Sequence, residues 1–117
     1  MRVPIIALLV TFAGEAGAAA PLDPGQLVIL RDAAREALKP SCGKCHDSKL
    51  RTAKPAALKH FDLQQADWSA PLTTEQLGHL AGRFDSFSVT PSQRSIIQSY
   101  LDAEKARRRA SSPASPR

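Results

Sequence analysis

The sequence predicts an all-α domain of three main helices, and three observations carry that prediction. Three segments repeat apolar residues at helical spacing. Each opens on a side chain that caps helix N-termini (Asp23, Thr73, Thr90), with glutamine three positions later as in a capping box. No stretch alternates apolar and polar residues long enough to make a strand.

The chain has 117 residues and a formal net charge of +5. Its first element reads as a leader. Met1 and Arg2 form a positive head, Val3 to Ala13 is an uncharged apolar run, and small residues up to Ala20 follow in A-x-A order. These are the three parts of a secretory signal. The apolar run falls short of the roughly 20 residues a transmembrane helix needs. Cleavage is expected after Ala18, because a cut after Ala20 puts Pro21 at a disfavoured position. Residues 1–18 are then the signal peptide. The remainder suffices for one small domain, residues 19–104, followed by a basic tail.

The elements follow in order. Asp23 caps the first helix, Pro24 takes its first position, and Leu27, Leu30, Ala34 and Leu38 line one face. Lys39 falls in the last turn and Pro40 is expected to stop the helix. After Ser41 comes Cys42-Gly43-Lys44-Cys45-His46. Asp47 to Pro71 reads as irregular, with a short helix over Pro55 to Phe61. Thr73 caps a second helix with Leu77, Leu80, Ala81 and Phe84 as its stripe. Thr90 caps a third carrying Ile96, Ile97, Tyr100 and Leu101. Residues 105–117, rich in Ser and Pro towards the end, are expected to be a disordered tail.

The pentapeptide carries the chemistry. C-x-x-C-H is the attachment pattern of a c-type haem. Cys42 and Cys45, three apart on a helical turn, reach two vinyl groups on one porphyrin edge and form thioethers, and His46 becomes the proximal iron ligand. The competing readings are weaker. A thiol–disulfide redox site expects a βαβ surround, which the pattern lacks. A zinc site needs four spaced ligands, and His60 and His79 do not fall at finger-like spacing. A disulfide between residues three apart closes too small a loop to restrict the unfolded chain much.

The charge is unevenly placed along the chain. Lys105, Arg107, Arg108, Arg109 and Arg117 stand in a tail without acids, whereas residues 19–104 hold 10 basic and 10 acidic side chains. The basic character therefore belongs to the tail, read as a solvated helix end or as a contact for an acidic partner or anionic surface. Nucleic acid is not an expected partner.

A helix leading into C-x-x-C-H, a looped middle and a C-terminal helix resemble the small monohaem cytochrome c domains over roughly residues 23–104. The resemblance implies a cytochrome c-like fold around one covalent haem c, an apolar crevice, and single-electron transfer with a redox partner protein. It also implies the bacterial periplasm, where such haems are attached, and this agrees with the signal. Trp68, Phe61, Phe84, Phe87 and Tyr100 are candidates for the crevice wall, with ordinary core the more economical reading of each. The chain departs from the family pattern on the other side of the iron. Its one methionine is Met1, which the expected cleavage removes, so His/Met ligation is excluded in the mature chain. His60 is the leading candidate for the sixth ligand. His79, about 200° from Leu77 around its helix, is expected to face water. Lys49, Lys54 and Lys59 are further candidates, and an open position is the alternative. An open position implies a protein that binds NO, CO, O2 or peroxide, and a haem-bearing subunit of a larger redox complex is a third reading. No motif marks a substrate pocket, so an electron carrier is favoured over an enzyme.

Overall fold

The computed structural model describes residues 22–86 and 88–111. The predicted signal peptide, Phe87 and the last six residues lie outside them. Every regular element described is helical: α1 (Pro24–His46), α2 (Pro55–Leu58), α3 (Thr74–Gly82), a 3-10 turn (Arg83–Ser86) and α4 (Pro91–Ser111). The all-α class expected from the sequence therefore holds among the described residues. No helix among them is long and apolar enough to cross a membrane.

The caps form as their spacing implies. Asp23 Oδ1 accepts the Gln26 amide at 3.0 Å. Thr73 Oγ1 accepts the Gln76 amide at 3.1 Å while Gln76 Oε1 accepts the Thr73 amide at 2.8 Å. Thr90 and Gln93 repeat this reciprocal pair at 3.1 and 3.0 Å. Each pair satisfies donors that a helix start otherwise leaves open.

The first correction concerns Pro40, which does not stop α1. The helix runs through it to His46 and so contains the whole C-x-x-C-H motif. Proline removes one amide donor, but Pro40 is exposed, and a carbonyl freed on that side can be hydrated. On the inner side, Ala37 and Leu38 before the proline and Cys42 after it pack on the same core. Tertiary packing outweighs the local rule.

α1 and α4 make the most extensive contact in the domain, and α3 packs on α4. The core between them holds Ala34, Leu38, Leu63, Trp68, Leu77, Ile97 and Leu101, all without solvent exposure. Leu27 and Leu30 only flank it, and Ile96 is exposed. Trp68 donates its indole N–H to the Arg31 carbonyl at 3.2 Å, which ties the irregular middle to α1. Its ring meets Phe61 on one side and Tyr100 on the other, with centroids 5.9 and 5.6 Å away. The Tyr100 hydroxyl makes a short hydrogen bond with that of Ser69.

The second correction concerns the tail. Residues 105–111 are helical, and two of their arginines are committed. Buried Glu104 pairs with Arg107 at 2.6 Å and with Arg108 at 2.9 Å. Arg108 also donates to the carbonyls of Leu72, through a short contact, and Ser69. These bonds fasten the last turns of α4 to the segment leading into α3. Burial alone raises the Glu104 carboxyl, but the two arginines outweigh it and hold the group below its ordinary value near 4.5. A depressed folded pKa gives stability that is present above the ordinary value and lost as pH falls through the folded one. Glu104→Gln is expected to cost about 1–3 kcal/mol at pH 7, with the difference shrinking towards pH 3. Urea unfolding across pH 3 to 7 measures this, and a constant difference removes the assignment.

Candidate functional site

The site is assembled where α1 ends. Cys42, Cys45 and His46 occupy its last turn, and the chain that follows satisfies the terminal carbonyls. The Asp47 amide donates to the Gly43 carbonyl at 3.0 Å, that of Lys54 to Cys45 at 3.1 Å, and that of Leu63 to His46 at 2.7 Å. The stretch from 47 to 63 is thereby stitched back onto the motif. Asp47 itself is buried, and its Oδ1 accepts the Lys49 amide and Gln64 Nε2 at 3.0 and 2.7 Å. Asp62 Oδ1 accepts the amides of Ser48 and Gln64, and these bonds outweigh desolvation and lower its carboxyl.

His46 is held in one orientation. Its Nδ1 lies 3.0 Å from the Phe61 carbonyl oxygen. A carbonyl only accepts, so Nδ1 carries the proton, and Nε2 of the neutral ring keeps its lone pair. The Phe61 ring stacks on the imidazole with centroids 3.7 Å apart and planes 3° from parallel. Phe61 in turn rests on Trp68, so the imidazole is braced from the core.

Two adjoining cavities meet at His46. The larger, about 470 Å³, is lined by both cysteines, by Ala56, Ala57, Phe61 and Leu80, and by the polar Ser41, His46, Lys54, His60 and Arg83. The smaller, about 240 Å³, shares His46, His60, Phe61, Leu80 and Arg83 and adds Leu72, Gln76 and His79. Both thiols are free of a disulfide. Burial pushes the Cys42 thiol up, against the pull of the Ser41 hydroxyl and the Arg83 charge, and Cys45 adds to the rise.

The sequence-nominated residues separate on this map. Cys42, Cys45, His46 and His60 all line the larger cavity. His60, exposed, directly precedes the residue whose carbonyl anchors His46. His79 is largely exposed, as its place on the helix implied, and it also lines the smaller cavity with Gln76, Leu80 and Arg83. These four recur at i, i+3, i+4 and i+7, so α3 and the turn that continues it present a second face beside the core stripe. Of the lysines only Lys54 lines a cavity. Of the aromatic candidates described, Phe61 alone does so at this site. Phe84 and Trp68 are core, and Tyr100 lines a separate groove of about 350 Å³. Arg83 was not singled out in the sequence. It follows a helix end without any motif, and only the packing of α3 brings it to the cavity. Among the described residues no group of three or more His, Cys, Asp or Glu stands together as a ready metal site. None of the family models, curated proteins or solved structures compared with the chain matches it.

Proposed function

We propose that this chain is an exported c-type haem protein, resembling small monohaem cytochromes c, that carries single electrons. The observation carrying the reading is the pairing of two free thiols with an imidazole of fixed orientation on the wall of one cavity. The residues present fit the group. The cavity has the size of a small-molecule site, and its apolar wall comes from Ala56, Ala57, Phe61 and Leu80. Cys42 and Cys45, an i, i+3 pair on one helix, would hold it covalently. His46 would hold the iron through Nε2, because a ligating imidazole commonly gives its other N–H to a carbonyl or carboxylate, here Phe61. Lys54 and Arg83 are the cations on the wall that fit its two carboxylates. When bound, the haem supplies a one-electron couple whose potential depends on axial ligands, hydrogen bonding and burial.

What the chain contributes is rigidity. A ring braced by the Phe61 carbonyl and stacked on its side chain does not rotate when the charge beside it changes. The dithiol redox alternative is disfavoured by position. Reactive thiols of that kind draw on a helix N-terminus or nearby cations to form thiolate. Here both cysteines sit in the last turn of α1, at the negative end of the helix dipole.

A second reading, an open iron that binds a small ligand, is favoured by one observation. His60 is exposed and directly precedes Phe61, whose carbonyl anchors His46, so nothing in its placement would hold it as a second ligand to an iron that His46 carried. The polar residues facing the smaller cavity on the α3 side are Gln76 and His79 of α3 and Arg83 of the turn that follows. Optical spectra of protein matured with haem-attachment machinery, oxidised and reduced, with and without CO, separate the readings. Electron transfer with a sixth protein ligand is expected to give low-spin reduced bands unmoved by CO. A high-spin ferrous form that binds CO readily selects the open site. His60→Ala and His79→Ala then identify the ligand. The one whose loss turns the spectrum high-spin holds the place, and if neither does, both nominations fail.

A further inference from the structure

We propose that the groove between the start of α1 and the far part of α4 binds a free amino acid with an apolar side chain. Its volume, about 350 Å³, lies at the lower end of small-molecule sites. It shares no lining residue with the two cavities at His46 and stands apart from the proposed haem.

Three parts of the chain build it. Leu27, Val28 and Arg31 line it from one face of α1, with Leu22 just before the helix. Tyr100, Glu104 and Arg107 line it from α4 at i, i+4 and i+7, and the irregular middle adds Asp67 and Ser69. Leu22 is 38% exposed and Val28 41%, so much of the apolar wall is left to water.

The polar groups divide into committed and free. Glu104 and Arg107 are paired at 2.6 Å, and the hydroxyls of Ser69 and Tyr100 are bonded to each other. Arg31 and Asp67 remain. The Arg31 Nε is buried and makes no hydrogen bond, with the Asp32 carboxylate 3.8 Å away and beyond hydrogen-bond reach. Asp67 is exposed, and among the described residues no hydrogen bond or ion pair engages its carboxylate. One free cation and one free anion therefore face the same groove without pairing.

That combination selects the ligand. A desolvated N–H without an acceptor costs free energy that a bound carboxylate restores, and the guanidinium fork suits a carboxylate. An acid alone meets Asp67 as well, and an amine alone meets Arg31. A zwitterion satisfies both, and its neutrality suits a lining of two arginines and two acids. An apolar side chain then covers Leu22, Leu27 and Val28. A free α-amino acid carries these three parts on one carbon, whereas a longer peptide separates its charged ends.

Calorimetric titration of full-length protein matured with haem-attachment machinery tests this with three probes. L-phenylalanine carries both charges, N-acetyl-L-phenylalanine lacks the cation, and L-phenylalanine amide lacks the anion. Phenylalanine is expected to bind one-to-one, and each analogue about threefold or more weakly. Arg31→Gln is expected to lower phenylalanine affinity about tenfold, and Asp67→Asn about threefold, because that carboxylate is the more exposed. Arg31→Gln should not weaken the amide, nor Asp67→Asn the acetylated acid. Circular dichroism checks the fold of each variant, and Asp67→Asn, at an exposed position, tests the same site without touching the core. No saturable binding of phenylalanine, equal binding of either analogue, or unchanged affinity in Asp67→Asn overturns the proposal. Haem staining on a denaturing gel is read separately. Phenylalanine binding by a chain without haem removes the haem reading and keeps the groove, whereas attached haem without such binding does the reverse.

Discussion

Replacing Cys42 and Cys45 together by serine is expected to abolish covalent haem. Matured in cells that attach haem, the double variant should give no haem stain after denaturation and the mass of the bare chain. Serine is close in size to cysteine, and neither cysteine is fully buried, so the helix should persist by circular dichroism. That contrast matters, because loss of haem from a folded chain isolates the thiols as the attachment chemistry. Cys42→Ser and Cys45→Ser singly should each keep one bond and give protein with haem still attached at lower yield. His46→Ala should act differently. It removes the ring that Phe61 orients while leaving both thiols on the cavity wall, so any haem attached should lose its axial nitrogen and show a high-spin spectrum. Haem stain surviving in the double cysteine variant sinks the whole reading, whatever the other variants show.

Trp68→Ala is expected to be the most destabilising single core substitution, costing about 3–5 kcal/mol. Trp68 has no solvent exposure, fills the space between Phe61 and Tyr100, and gives the Arg31 carbonyl a partner. Truncation opens a cavity on two aromatic faces and removes that bond. For a domain of this size each kcal/mol lowers Tm by roughly 4–8 °C, so the variant should be largely unfolded near the temperature at which the parent begins to melt. Trp68→Phe keeps most of the packing and loses the indole N–H, which sets a smaller cost of about 1–2 kcal/mol. The same pair probes the site. Phe61 braces His46 by stacking and by its carbonyl, and Trp68 braces Phe61. Loosening Trp68 should therefore broaden the spectrum of attached haem, whereas truncating a core residue that makes no ring contact with Phe61, such as Ile97→Ala, should not. A cost below about 1 kcal/mol for Trp68→Ala shows that the aromatic column does not support the domain.

The partial legibility of this chain has physical causes. Caps, helical stripes and the motif's two cysteines act within one or two turns, so their residues carry the signal themselves. Asp23, Thr73 and Thr90 sit four residues or fewer from the groups they bond. Pro40 is also a local signal, but it competes with burial of Leu38 before it and packing of the partly buried Cys42 after it, and loses. The positions of His79 and Arg83 depend on which faces of α3 meet α4 and the cavity, and periodicity named only the apolar one. The carbonyl that fixes His46 belongs to Phe61, fifteen residues on, in a stretch without regular pattern.

Taken by itself, the sequence determined the helical class and the helix starts, and it nominated Cys42, Cys45 and His46 for the proposed haem. Each of those rests on spacing along one stretch of chain. Only the tertiary structure decided that the motif is the end of a 23-residue helix, which ring nitrogen of His46 carries the proton, and which cations are spent on carboxylates. The reason is distance along the chain. Arg108 finds Leu72 and Ser69 thirty-six and thirty-nine residues away, and Trp68 finds Arg31 thirty-seven away. No local pattern records such meetings.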